Sequence, residues 1–238
     1  MKPIKSKLKS AFSNLTGYSV FKRSHLPIGC DLVTDIQFKI RLPVKLIFDV
    51  GANVGQTAEQ FNRDFPVADI YSFEPVLETF TKLNANVKHI DKVQCYHMAL
   101  GESNGQMEIK TFTGKNSLLN SLNPVSMNME GKSEIIHIKT GDQFCNENRI
   151  EYIDLLKIDT EGFEVQVLKG FSGMIGNSKI GSIYCEVGFS KSNKRNTYIN
   201  DVFEFLGERG FEFYGLYDMY NKHLRKGSDF GSVFFVKA

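Results

Sequence analysis

The feature that most constrains the fold is the alternation of strand-like and helix-like segments between residues 46 and 189. Short apolar runs, such as KLIFDV and IDLLKID, are each followed by a stretch whose apolar residues recur at helical spacing. This order is typical of a parallel sheet with helices on both faces. Two β-rich segments, 211–218 and 231–238, end the chain and predict an antiparallel pair. The sequence therefore predicts an α/β fold with a doubly wound, mostly parallel sheet.

The middle of the chain also predicts a hairpin and a long loop. Residues 92–100 have the pattern of a strand, Asn104-Gly105 is typical of a tight turn, and 106–112 would return from it. Residues 113–133 are rich in Asn, Ser and Gly and have no period. A loop of this length is unusual inside a compact domain, so we expect a lid or a binding loop.

The first 45 residues differ from the rest in charge. Residues 1–25 contain no acid and six basic residues, namely Lys2, Lys5, Lys7, Lys9, Lys22 and Arg23. An apolar stripe at helical spacing is formed by Ile4, Leu8, Ala11, Phe12 and Leu15. Two interpretations stay open: a helix that makes weak contact with an acidic membrane surface or a partner, and a helix packed on its own domain. We divide the chain into a basic N-terminal extension, 1–45, and a main domain, 46–238.

Composition excludes several classes of protein. The net charge of +2 on 238 residues does not favour a nucleic-acid partner. The four cysteines are widely spaced without a CxxC pair, which favours free thiols over zinc or disulfides. No stretch approaches the ~20 apolar residues of a membrane span, and the basic N-terminus lacks the apolar run of a secretory signal. We expect a cytoplasmic protein.

Acidic residues end four of the predicted strands, and they are Asp49, Glu74, Asp159 and Glu186. Because the carboxyl ends of parallel strands meet at one edge of a sheet, these side chains should form a rim of negative charge. Such a rim would repel a phosphate-rich cofactor, and neither GxGxxG nor GxxxxGK[ST] is present. A ligand with hydroxyls and a positive centre fits better, and S-adenosylmethionine has a ribose diol and a sulfonium.

The loop GANVG after the first strand suits such a ligand. Gly51 and Gly55 would let the backbone approach it closely, and Asn53 tolerates a left-handed conformation. Glu74, at the end of the next strand, would accept hydrogen bonds from both ribose hydroxyls.

Five blocks of this sequence together resemble the FkbM family of methyltransferases. They are FDVGANVGQT (48–57), YSFEPVLETFTKLNANV (71–87), ALGESNGQMEI (99–109), KTGDQF (139–144) and IDLLKIDTEGFEVQVLKG (153–170). The resemblance implies the Rossmann-like fold of class I methyltransferases. It also implies O-methyl transfer from S-adenosylmethionine to a hydroxyl of a sugar, a glycan or a secondary metabolite, without setting the acceptor.

The resemblance also assigns residues to the cofactor site. It implies a nucleotide loop and ribose site formed by Asp49, Gly51, Asn53, Val54, Gly55, Gln56, Glu74 and Pro75. Ala99 and Leu100 fall where the adenine pocket is expected, and Ser117 lies in a small polar patch in which Asn116 replaces the family's first Ser. Asp159 and Glu161 match the family's KIDVEGAE block.

A hydroxyl acceptor needs a base to take its proton, and Asp159 and Glu161 are our candidates because both open the loop after a central strand. The alternatives are a helix cap for Asp159 and, for Glu161, an acid that complements a helix dipole. A divalent cation held by these two and Glu186 is a further alternative, although we predict no metal. A nucleic-acid methyltransferase, a nicotinamide-dependent oxidoreductase of similar architecture and a binding module without turnover remain the rival functions.

Overall fold

The computed structural model describes residues 2–111, 132–220 and 227–238, apart from the side chains of residues 2–6 and 24. The chain divides into two compact units, Met1–Leu42 and Pro43–Ala238. Our division of the chain into an N-terminal extension, 1–45, and a main domain, 46–238, stays a prediction.

The first unit is helical. It contains α1 (Lys2–Thr16), a 3-10 turn (Arg23–His25), and α2 (Leu32–Thr34), which continues as a π-helix (Asp35–Ile40). The buried Asp35 holds this unit together, since its carboxylate accepts the Gly29 N–H at 3.0 Å and pairs with Lys39 Nζ at 2.5 Å.

The second unit is built on a seven-stranded sheet with the order β3-β2-β1-β7-β8-β10-β9. Its strands are β1 (Leu46–Val50), β2 (Asp69–Phe73), β3 (Val93–Tyr96), β7 (Ile153–Ile158), β8 (Ile180–Gly188), β9 (Phe211–Tyr220) and β10 (Phe230–Lys237). The first five of these pair in parallel, and β10 pairs antiparallel with β8 and β9. The predicted mostly parallel sheet with an antiparallel C-terminal pair is confirmed.

Helices connect the strands. They are α3 (Gln56–Asp64), α4 (Leu77–Val87), α5 (Gly141–Glu147), α6 (Glu164–Gly170), α7 (Ser172–Gly176) and α8 (Ile199–Gly207). The helix predicted from residue 161 begins at Glu164, so residues 159–163 form a loop beyond β7. This loop carries both predicted bases.

The central strands are buried on both faces, which explains their continuous apolar runs. In β1, Ile47, Phe48, Asp49 and Val50 are all buried. The Phe48 ring packs against Phe73 and Phe144 at centroid distances of 5.2 and 5.7 Å. Packing on this scale makes the sheet a rigid base for the loops at its carboxyl edge.

The predicted hairpin is wrong. Residues 92–100 break into β3 and β4 (Ala99–Leu100), and β4 belongs to a second sheet with the order β4-β6-β5. In this sheet β6 (Lys132–Lys139) lies between β4 and β5 (Gly105–Thr111), so the two predicted hairpin strands do not pair.

The backbone conformation and the contacts of Asn104 explain why the predicted hairpin does not form. A two-residue type I′ hairpin turn needs positive φ at both central residues, and neither Asn104 nor Gly105 has it. The Asn104 side chain instead accepts the Thr140 N–H at 2.9 Å and donates to Gln143 at 2.5 Å. The turn residue is therefore used to bind the start of α5.

Candidate active site

A cleft opens at the carboxyl ends of β1, β2 and β7. Its lining residues are Val50, Gly51, Ala52, Asn53, Gln56, Thr57, Phe73, Glu74, Pro75, Val76, Thr79, Ala99, Leu100, Ile109, Lys157, Asp159, Thr160 and Glu161. Ligands of parallel α/β sheets bind at this edge, where the strand order reverses. Here β1 lies between β2 and β7, so the cleft is at the reversal.

The loop between β1 and α3 follows the predicted conformation. Asn53 is left-handed, with φ of 49°, and Gly51 and Gly55 have φ of 77° and 98°. A Cβ on Gly51 would lie 1.8 Å from the carbonyl oxygen of Asp159, and one on Gly55 would lie 2.9 Å from Val87 Cγ1. The protein's own packing therefore requires both glycines, a reason that differs from the close approach to a ligand that we expected.

Glu74 is buried and oriented by the backbone. Its Oε2 accepts the Asn53 N–H at 3.1 Å and its Oε1 accepts the Val76 N–H at 3.0 Å. Burial raises the pKa of Glu74 to about 7, although the two N–H donors and Lys157 act in the opposite direction. The carboxylate is therefore held in one position at the wall of the cleft, and its charge depends on pH near neutrality.

Lys157 partly neutralises the predicted rim of negative charge. Its Nζ lies 2.8 Å from Asp49 Oδ1 and 3.7 Å from Asp159 Oδ2, and it donates to the Gly51 carbonyl at 3.0 Å. Burial opposes its charge, but the two carboxylates outweigh burial and raise the pKa of Lys157. Asp49 is fully buried, and its carboxylate faces this ammonium group.

Three acids converge at the end of the cleft near β7 and β8. One carboxylate oxygen from each of Asp159, Glu161 and Glu186 lies within 4.8 Å of the other two. Burial is the main cause that raises the pKa of both Glu161 and Glu186, and for Glu186 the charges of Asp159 and Glu161 add to it. Oxygen donors of this kind suit a hard divalent cation.

Two side chains of the segment that follows β8 donate hydrogen bonds to this cluster of acids. Arg195 binds Glu161 in bidentate fashion, with Nε donating to Oε2 and Nη2 to Oε1. Asn196 Nδ2 donates to Glu186 Oε2 at 2.5 Å. Because Arg195 already binds both oxygens of Glu161, a cation at this site would compete with it.

The family follows from a comparison with known proteins. The model of the methyltransferase FkbM domain matches residues 49–213 of this chain. The chain belongs to the FkbM methyltransferase family. The family resemblance of the sequence blocks is thereby confirmed.

Of two curated relatives of this FkbM chain, one is named for 2-O-methyl transfer and the other for methylation of a hexuronic acid. The 2-O-methyltransferase NoeI of Sinorhizobium fredii is 25% identical over 141 residues, which cover 54% of this chain and 58% of NoeI. The hexuronic acid methyltransferase AglP of Haloferax volcanii is 28% identical over 131 residues, which cover 55% of this chain and 51% of AglP. The matches thus span just over half the length of these relatives.

The crystal structure of methyltransferase FkbM from Methylobacillus flagellatus shares the fold of this FkbM chain. The TM-score is 0.55 at 14% identity, and the superposition covers 84% of this chain and 47% of that one.

The FkbM chain brings most of the predicted cofactor residues together. Those that line the cleft are Gly51, Asn53, Gln56, Glu74, Pro75, Ala99, Leu100 and Asp159. Asp49, Val54 and Gly55 are not among its lining residues, and Ser117 lies outside the described part of the chain.

Glu164, which the sequence interpretation missed, holds the loop that carries Asp159 and Glu161. This buried carboxylate accepts the N–H groups of Thr160 and Gly162 at 2.9 and 3.1 Å, and the hydroxyl of Thr197. It is the acid in the first turn of α6, the place that we considered for Glu161. Its signal in the sequence is the second acid of TEGFE, which directly precedes an apolar helical pattern.

Proposed function

We propose that this chain is an S-adenosylmethionine-dependent methyltransferase that acts on a hydroxyl of a sugar, a glycan or a secondary metabolite. The observation that carries the proposal is Glu74, a buried carboxylate that two backbone N–H groups aim into a cleft at the reversal of strand order. The name of NoeI supports an oxygen atom as the acceptor, and the name of AglP supports a sugar.

The residues of the cleft fit this cofactor. A carboxylate has about four lone-pair sites, and the two backbone donors leave room on Glu74 for a ribose diol. Ala99, Leu100 and Ile109 provide an apolar surface for the adenine ring. The start of α3 at Gln56 presents backbone N–H groups, which suit the carboxylate end of the cofactor.

The chemistry needs one proton acceptor. When bound, S-adenosylmethionine supplies a methyl group, which forms a bond to the acceptor oxygen while the carbon–sulfur bond breaks and sulfur keeps the electron pair. We assign Asp159 as the base that accepts the proton of the acceptor hydroxyl, because its side chain is 40% exposed at the cleft. Glu161 is less suited to take this proton because Arg195 binds both of its oxygens. We assign Glu161 the task of holding the acceptor side of the cleft in place.

Calorimetric titration with S-adenosylhomocysteine tests the cofactor site. A hydrogen bond to a charged group contributes about 1.5–3 kcal/mol, so Glu74→Ala should weaken binding by about 10- to 100-fold. Glu78→Ala is the matched control, because Glu78 is exposed in the first turn of α4 and pairs with Lys82. An unchanged dissociation constant in Glu74→Ala would remove Glu74 from the site, and tight binding of NADH would favour an oxidoreductase.

Methyl transfer to candidate acceptors tests the reaction. We expect methyl groups from labelled S-adenosylmethionine to appear on monosaccharides or oligosaccharides. Transfer to RNA or DNA in place of sugars would contradict the proposed acceptor class and support a nucleic-acid methyltransferase.

A further inference from the structure

Helix α1 has no buried face among its described side chains. From residue 7 to residue 23 every residue is exposed apart from Ser13, which is half-buried. The exposed fractions of Leu8, Phe12 and Leu15 are 65%, 47% and 88%. An isolated helix of this length is marginally stable in water, so a surface that covers the apolar stripe would stabilise it.

The exposed apolar surface continues past the end of the helix. Tyr18, Val20 and Phe21 are large apolar side chains, and each is about half exposed or more. Single exposed apolar residues are ordinary on protein surfaces, but a run of six within 14 residues of chain (8–21) is typical of an interaction site.

The charge of this segment indicates what covers it. Residues 1–25 contain six basic residues and no acid, and Lys7 and Lys9 are exposed beside the stripe. A basic helix with one apolar face lies in the plane of a membrane interface, with its apolar side chains among the acyl chains and its lysines near anionic headgroups. Nucleic acid would pair with the lysines and leave the apolar stripe in water.

We propose that residues 7–23, which we call the basic segment, bind the surface of membranes that contain anionic lipids. The contact is peripheral. At 1.5 Å per residue, α1 is about 22 Å long, less than the ~30 Å of a hydrocarbon core. Among the described residues no helix is long and apolar enough to cross a bilayer.

Co-sedimentation of the full chain with lipid vesicles tests this proposal. We expect binding to phosphatidylcholine vesicles that contain about one-third phosphatidylglycerol, weaker binding at high salt, and little binding to pure phosphatidylcholine. Helicity measured by circular dichroism should rise when anionic vesicles are added. Equal binding to both kinds of vesicle, or binding to neither, would overturn the proposal.

Two sets of variants separate charge from apolar contact. Each lysine near an anionic surface contributes about fivefold to partitioning, so Lys7→Gln/Lys9→Gln should weaken binding by about 25-fold. Leu8→Ser/Phe12→Ser/Leu15→Ser should weaken it by more than about 100-fold, because three apolar side chains no longer enter the interface.

The matched control changes charge elsewhere. Lys88 and Lys179 are exposed lysines of the second unit, so Lys88→Gln/Lys179→Gln should bind vesicles within about twofold of the unmodified chain. All variants should keep the Tm of the unmodified chain, which shows that they are folded and keeps this test separate from the proposed function. A loss in the control pair as large as that in Lys7→Gln/Lys9→Gln would place the lipid contact outside the basic segment.

Discussion

The affinity for the cofactor should rise with pH because Glu74 titrates near neutrality. Burial raises the pKa of this carboxyl to about 7 in the free protein, so its neutral form dominates below that pH. Ribose hydroxyls that donate hydrogen bonds favour the ionised form. Binding should therefore release a proton, and the dissociation constant should fall as pH rises.

The size of the effect follows from the ionised fraction. With a pKa of about 7, Glu74 is about 10% ionised at pH 6 and about 90% ionised at pH 8. If only the ionised form binds, the apparent dissociation constant is the intrinsic one divided by this fraction. Affinity should then increase about tenfold between pH 6 and pH 8, with most of the change around pH 7.

Calorimetric titration with S-adenosylhomocysteine at half-unit steps of pH measures this slope. Glu74→Gln should bind weakly with little dependence on pH, since it has no titrating carboxyl. Glu78→Gln is the control for the same change from carboxyl to amide and should keep the slope of the unmodified protein, because Glu78 is exposed and is not among the residues that line the cleft. Affinity that stays constant or falls from pH 6 to pH 8 would refute the reasoning, and so would a full slope in Glu74→Gln.

Three further predictions concern Lys157, Asp159 and Glu186. Lys157→Met should lower the free energy of unfolding by about 3–5 kcal/mol, measured in urea, because Asp49 is left charged and buried. The double variant Lys157→Met/Asp49→Asn should recover most of the loss, and a fully stable single variant would contradict the ion pair. Asp159→Asn should lower kcat by about 10²- to 10⁴-fold if this carboxylate takes the acceptor proton, and full turnover at every pH would exclude it as the base. Glu186→Gln should raise Tm at pH 8 by at least about 2–4 °C and change it less at pH 5. Because the pKa of Glu186 is raised in the folded protein, the folded state loses stability as pH rises from the ordinary pKa of a Glu carboxyl through the raised one. The amide does not titrate and still accepts the Asn196 hydrogen bond. An equal change in Tm at both pH values would show that ionisation of Glu186 is not the cause.

The sequence by itself determined the sheet and the place of the cleft. Apolar runs set the central strands because residues buried on both faces must be apolar. The acids at the strand ends marked the binding edge, since parallel strands carry their carboxyl ends to one side. The left-handed Asn53 was also predictable, because the loop from β1 to α3 is short and local backbone sterics decide its conformation.

Only the tertiary structure decided the charge state and the partners of those acids. Lys157 stands within the apolar run of β7, and nothing local in the sequence shows that it neutralises Asp49 from the neighbouring strand. Arg195 binds Glu161 across 34 positions of sequence, and no local pattern in the sequence indicates that contact. The failed hairpin has the same origin, because β6 pairs with both β4 and β5 and outweighs the local turn signal at Asn104. Periodicity reports how each segment meets the core, whereas ion pairs and strand order depend on which distant segments the fold brings within a few ångströms.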